Sequence, residues 1–281
     1  MNAQTVTSSV TPSVTPSVTP ARKTAFVKTS LFKAEWLQFR RNRTLMFMAT
    51  VFPVGIPLLI FAVGAGGAVE TANAFDYFVM YTLLFVQFYT VLSMATTRRD
   101  ERVLKRLRTG EARDLDILGA ICFPGALLTL IFTIVIIPLL LALGAPMPVN
   151  LIPMVLAVLL GLVLCSALAL LTSGFTRNAE AAQLTSGPVF ILAMGGLGSV
   201  RIAFGESIVA DILAYTPFAA ISDLAQIGWA GATFYDNVTG ATPVDFAGAF
   251  QEMLVPLGIL AVWTIVALWA ASRYMRWDSH R

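Results

Sequence analysis

The segment LIPMVLAVLLGLVLCSALALLTSGF, residues 151–175, contains no charged side chain. A helix rises 1.5 Å per residue, so about 20 apolar residues cross roughly 30 Å of hydrocarbon. The whole chain of 281 residues is 57% hydrophobic and 12% charged, whereas soluble domains carry about 25% charged residues. We therefore predict an all-α integral membrane protein.

Working outward from this segment, six stretches have the length and composition of membrane spans. Prolines inside them are tolerated where neighbouring helices satisfy the freed carbonyls. The predicted spans are residues 44–64, 75–97, 117–144, 151–175, 182–200 and 253–272.

The Lys and Arg residues predict the orientation, because cytoplasmic loops carry an excess of positive charge. Seven precede the first span, seven lie in loop 98–114, Arg177 follows span four and three end the chain. With both termini inside, only Arg201 of the nineteen lies outside.

The chain before the first span divides in two. Residues 9–20, SVTPSVTPSVTP, repeat one unit three times, and such sequence cannot bury a core. We expect a retained, disordered tail over 1–28 and a six-span transmembrane domain over 29–281. Phe32, Trp36 and Phe39 share helical spacing, which predicts an interfacial helix over 29–43; the simpler interpretation is the first turns of span one.

Loop 98–114 is a dense, mostly basic block between two apolar stretches. Val103, Leu104 and Leu107 form a small apolar face among charges, with Asp100 and Glu101 expected at the helix N-terminus, where the dipole favours acids. One interpretation is that the loop only sets orientation. The alternative is a docking helix, 98–109, whose apolar stripe enters a groove on a soluble partner.

The predicted outer loop, 201–252, is unusually long and partly apolar. Its segment 208–234 is too interrupted for a seventh span, which favours a re-entrant or surface helix.

The segment ERVLKRLRTGEARDLDILGA, residues 101–120, resembles the first cytoplasmic loop of type-2 ABC exporter permeases, with an acid, a Leu and a basic-basic-Leu-basic run. AYTPFAAISDLAQIGW, residues 214–229, resembles the aromatic and proline-containing segment of that family's outer loop. The chain departs from the family pattern at three places. Val103 stands where the family often has Gly-Thr, and Thr109-Gly110 stands where it often has Ser/Thr-Pro. The Pro that the family often has after its fifth span is missing after Gly195-Gly196-Leu197-Gly198.

The resemblance implies six spans, an N-terminal interfacial helix, a cytoplasmic coupling helix and a re-entrant outer loop. It also implies two P-loop ATPase subunits, which would carry ATP and Mg, beneath a pair of permeases. The chain has no G-x-x-x-x-G-K-[ST] motif, so ATP hydrolysis is expected on a separate subunit. Expected ATPase contacts are helix 29–43, loop Thr176–Glu180 and the coupling residues Glu101, Val103, Leu104, Lys105, Arg106, Leu107 and Arg108.

Aromatic and amide side chains in spans two and five are candidates for a cargo path, since the resemblance places these spans at the interface between permeases. The alternative for each aromatic is ordinary packing, which we also expect for Gly195, Gly196 and Gly198. The candidates are Phe78, Tyr81, Phe85, Gln87, Phe88, Gln183, Ser186 and Phe190.

The predicted function is a non-enzymatic permease subunit of an ABC exporter in a bacterial cytoplasmic membrane. Its cargo would be a hydrophobic or amphipathic antibiotic, drug or lipid. The alternatives are a lipid-linked glycan exporter and a non-transporting sensor or assembly subunit. Cys122, Cys165 and His280 are too few and too scattered for a metal or catalytic site. Membrane lipid, and not nucleic acid, is the other expected contact.

Overall fold

The computed structural model describes residues 32–64, 66–104, 113–178 and 180–275. Within these ranges the chain is helical, with no β-strand, which confirms the all-α class. The predicted tail over 1–28 lies outside them.

The helices follow one another with short connections. They are α1 (residues 32–41), α2 (Arg43–Val63), α3 (Ala68–Asp100), α4 (Asp114–Ala142), α5 (Leu151–Phe175), α6 (Ala182–Gly196), α7 (Gly198–Arg201) with a 3-10 turn (Ile202–Phe204), α8 (Ile208–Ala214), α9 (Pro217–Ala230), α10 (Phe234–Thr239), α11 (Gly248–Glu252) and α12 (Leu254–Tyr274).

Five helices in the described part of the chain are long and apolar enough to cross a membrane: α2, α3, α4, α5 and α12 with α11. Two bent pairs raise the number to seven if each counts as one span: α6 with α7, bent by 80°, and α8 with α9, bent by 75°. The chain is therefore a multi-pass membrane protein. The predicted fifth span, 182–200, is the first bent pair rather than a straight helix.

Two helices form the centre of the bundle. In α3, 78% of the most apolar window is buried inside the protein, against 22% in α2, α4 and α12. In α9 every residue except Asp223 is buried. The predicted re-entrant or surface segment, 208–234, thus contains one largely exposed helix, α8, and one almost fully enclosed helix, α9.

The bends arise from local chemistry that the sequence contains. Thr216 caps α9 by accepting a hydrogen bond from Ala219 N at 3.2 Å, and Pro217 occupies the first turn, where its missing N–H costs nothing. A Cβ on Gly196 would lie 2.7 Å from Phe218 and Ala219 backbone atoms, and one on Gly198 would lie 2.5 Å from Phe234. These glycines therefore serve close helix packing, as predicted.

Helix α1 is a separate element, because Asn42 interrupts the helix before α2. Its aromatic face packs against the protein: Phe39 is fully buried, and the Phe32 and Phe123 rings meet edge-to-face at 5.0 Å. The prediction of a distinct helix is confirmed over 32–41, with Phe32 and Phe39 against the protein's own helices.

Candidate functional site

Arg98 joins the end of α3 to α1. Its guanidinium contacts the Glu35 carboxylate through Nη2 at 2.8 Å and Nε at 3.3 Å, and Glu35 is only 2% exposed. Burial raises the pKa of the Glu35 carboxyl above its ordinary value, and the Arg98 charge offsets part of that rise. This two-point contact fixes α1 against α3.

Arg99, the next residue, joins α3 to the end of α5. It is 1% exposed and donates hydrogen bonds to the Ser173 and Thr176 carbonyls, with Arg177 O a further 3.3 Å contact. Carbonyls at a helix C-terminus have no partner within the helix and carry partial negative charge, so a guanidinium satisfies both needs. We call Arg98, Arg99 and these partners the arginine junction.

The coupling segment differs from its prediction. Residues 98–100 end α3, a turn follows at Glu101–Arg102, and a second helical segment starts at 103, so the predicted helix 98–109 is not one element. Arg102 has φ of +58°, a left-handed conformation that ends α3 and turns the chain.

Leu104 is buried within the chain. Its side chain is 1% exposed and belongs to the protein's own core. Its contact with an ATPase stays a prediction. Glu101 is exposed and Val103 half-buried, while the remaining coupling residues, Lys105, Arg106, Leu107 and Arg108, lie outside the described residues.

A cleft of about 410 Å³ opens between α2, α3 and α6. Four predicted cargo residues line it together: Phe85, Gln183, Ser186 and Phe190. Met48, Tyr89 and Gly187, which the sequence did not single out, complete it.

Aromatic contacts fix one wall of this cleft. The Phe85 ring meets Phe190 edge-to-face at 5.0 Å and stacks on Phe52 at 4.9 Å. Tyr81 lies beside Phe85, with 5.8 Å between ring centroids. Such offset and edge-on pairs stabilise a rigid aromatic surface.

Three predicted cargo residues are turned away from the cleft. Phe78 and Phe88 are fully buried among core side chains, although Phe88 meets Phe190 at 6.1 Å. Gln87 is also fully buried; its Nε2 donates to Ser166 Oγ at 2.6 Å and approaches Cys122 O at 3.4 Å. Gln87 therefore joins α3 to α4 and α5 and does not line this cleft.

A π-helical segment explains this outcome. Residues Thr82–Tyr89 of α3 form i→i+5 hydrogen bonds, which place more residues in each turn than the α-helix assumed from sequence. Residues three apart therefore point further from each other than in an α-helix, which turns Phe88 away from the side of Phe85. Tyr81, Phe85 and Tyr89, four residues apart, stay on one side.

Comparison with known protein families supplies the remaining observation. The profile of the ABC-2 family transporter proteins matches residues 53–273. The chain belongs to the ABC-2 transporter family. A comparison with curated proteins found no significant match.

ABC-2 family membership makes this chain a membrane transport subunit that works with a partner ATPase. The resemblance recognised in sequence is confirmed over the matched residues.

Asp76 is a buried acidic side chain that the sequence analysis did not single out. It is fully buried on α3, which begins at Ala68, whereas the predicted span began at residue 75 and left Asp76 at its edge. The sequence does contain an indication of it, because an acidic residue inside an apolar stretch indicates a functional site.

Proposed function

We propose that this chain is the permease subunit of an ATP-driven exporter for hydrophobic or amphipathic compounds such as an antibiotic, a drug or a lipid. Two copies, or this chain and a homologue, would pair above two ATPase subunits that bind ATP and Mg. The protein would lie in a bacterial cytoplasmic membrane with both termini in the cytoplasm.

The observation that carries this proposal is the lining of the cleft. Phe85, Tyr89 and Phe190 offer flat apolar surface, and Gln183 and Ser186 add two weakly polar groups without formal charge. Apolar pockets with few polar groups suit small ligands. A glycan would require many more hydrogen-bonding partners, so the cleft favours a compact apolar cargo over the lipid-linked glycan alternative.

A six-span topology is part of the proposal. Helix α9 has 14 residues, about 21 Å, which is short for a span. Its C-terminal end bonds to the α4–α5 loop, with Asn150 N donating to Gly228 O at 2.9 Å. These contacts support α8 and α9 entering and leaving on one side, with α6 and α7 as the fifth span.

The arginine junction supports a route for the ATPase's motion. Helix α1, the end of α3 and the end of α5 are held together by two guanidinium groups, and the turn at Glu101–Arg102 projects beside them. A partner pressing on this surface would move three helices as a unit, including α3, which carries the aromatic wall of the cleft.

The role of the cleft can be tested by measuring which compounds inside-out vesicles take up. Phe85→Ala and Phe190→Ala should each lower uptake of large aromatic compounds about tenfold more than uptake of small ones, the scale of roughly 1.4 kcal/mol of lost contact. Phe47→Ala, on an exposed ring beside Met48, is the matched control and should transport normally.

In the same assay, Gln87→Leu distinguishes a packing role of Gln87 from contact between Gln87 and the cargo. It removes the bond to Ser166 and should lower stability by about 1 kcal/mol while leaving cargo range unchanged. Equal cargo profiles for Phe190→Ala and Phe47→Ala would contradict the cleft proposal. Co-purification of an ATPase without transport of any tested compound would favour the sensor or assembly alternative.

A further inference from the structure

A polar cluster lies inside the protein where α3 packs against α9, away from both the arginine junction and the cleft. Asp76 is fully buried at its centre. Its Oδ2 accepts a hydrogen bond from Ser222 Oγ at 2.6 Å and a longer one from Gln226 Nε2 at 3.4 Å. Gly198 N donates to Ser222 Oγ at 3.0 Å, so the Ser222 hydroxyl proton is free to point to Asp76.

The charges of this cluster do not balance if every acid is ionised. Arg201 is engaged by Asp223 through both terminal nitrogens, which neutralises that pair. Among the described residues none forms an ion pair with Asp76. A lone buried carboxylate is costly, because desolvation removes several kcal/mol of hydration that two hydrogen bonds do not restore.

Neighbouring elements provide no second positive charge. Helices α2, α5, α6 and α9 have no Lys or Arg near this level, and α7 has only Arg201. The other titratable groups around the cluster are Tyr77, which bonds to Ser199 at 3.1 Å, Asp223, and Asp236, which bonds to Thr233 at 2.6 Å.

Unpaired hydrogen-bond acceptors point to the same place. In the described part of the chain, two buried acceptor atoms of the cluster, Asp76 Oδ1 and Gln226 Oε1, have no donor. A proton on Asp76 would neutralise the carboxyl and would put a donor on Oδ1, the oxygen that no other described group reaches.

We propose that Asp76 is a buried proton-binding site that holds one proton on Oδ1 while α3 and α9 are packed together. Oδ2 stays an acceptor for Ser222 and Gln226, so the proton takes the other oxygen. Separation of α9 from α3 would expose the carboxyl to water, where it ionises and releases the proton. Proton binding would thus favour the packed arrangement, and a rise in pH would favour its opening.

The proposal fixes how stability changes with pH. If the Asp76 carboxyl is protonated in the folded protein and ionised in the unfolded protein, one proton is taken up on folding. Stability then falls as pH rises above the ordinary carboxyl range near 4. Full-length protein in lipid nanodiscs should lose melting temperature with rising pH, on the order of 3 °C per pH unit while this difference lasts.

Asp76→Asn tests the site, because the amide imitates a neutral carboxyl of the same shape. The variant should fold, match or exceed wild type at high pH, and have a shallower pH slope than wild type, because Glu35 still contributes to the slope. Asp211→Asn, which changes an exposed acid on α8, is the matched control and should keep both the stability and the pH slope of wild type. A structural role alone would make Asp76→Asn less stable throughout with an unchanged slope, which would overturn the proposal.

Two further measurements make the test independent of the variant. Infrared difference spectra of wild type should contain a protonated-carboxyl band that fades with rising pH and is absent from Asp76→Asn. Melting in sodium chloride and in choline chloride should agree; stabilisation of wild type by sodium alone would overturn the proton assignment in favour of a cation. None of these readouts depends on transport, so they can fail or succeed separately from the exporter proposal.

Discussion

At the scale of single residues, two adjacent arginines have different tasks. Arg98 forms an ion pair with Glu35, whereas Arg99 satisfies carbonyls at the end of α5. The sequence showed both only as members of a basic block, because charge counting cannot distinguish a solvated arginine from one that is 1% exposed. Their separate partners come from tertiary packing.

Arg99→Leu is predicted to destabilise the protein by about 3 kcal/mol, since it leaves buried carbonyls without donors. Melting of the detergent-purified protein measures this. Arg113→Leu, which removes an exposed arginine, should change stability by less than about 0.5 kcal/mol. Equal melting temperatures for the two variants would show that Arg99 is not structural.

At the scale of elements, the long apolar helices could be predicted because crossing hydrocarbon demands length and apolarity. The packing role of the glycines at 196 and 198 was also predicted. The π segment Thr82–Tyr89 was not, since i→i+5 bonding depends on neighbours such as α4. The altered rotation per residue in this segment is why Phe85 lines the cleft while Phe88 does not.

Gly125 on α4 supports that segment by close approach. A Cβ there would lie 2.5 Å from Gln87 Oε1 and 2.6 Å from Val86 O, so Gly125→Ala should cost about 1–3 kcal/mol by overpacking. Gly258→Ala, on α12 with no atom within 4 Å, should be neutral or stabilise by up to about 1 kcal/mol. Thermal melting compares them, and a neutral Gly125→Ala would mean that the segment does not need this contact.

At the scale of the whole molecule, α3 connects the features described above. Along its 33 residues lie Asp76 near one end, the aromatic wall of the cleft in the middle and the arginine junction at the other end. A movement of its Arg99 end would therefore reach the cleft and the α9 contact through one continuous helix. Transport by this chain depends, on this account, on α3 moving as a connected element.

ATP-driven uptake tests this account most directly. Proteoliposomes containing the chain with its co-purified ATPase, exposed to a fluorescent hydrophobic compound, should accumulate it with ATP and not with a non-hydrolysable analogue. Phe190→Ala should abolish most of that uptake while ATP hydrolysis continues. Accumulation no greater than in protein-free vesicles, or equal with and without hydrolysis, would contradict it.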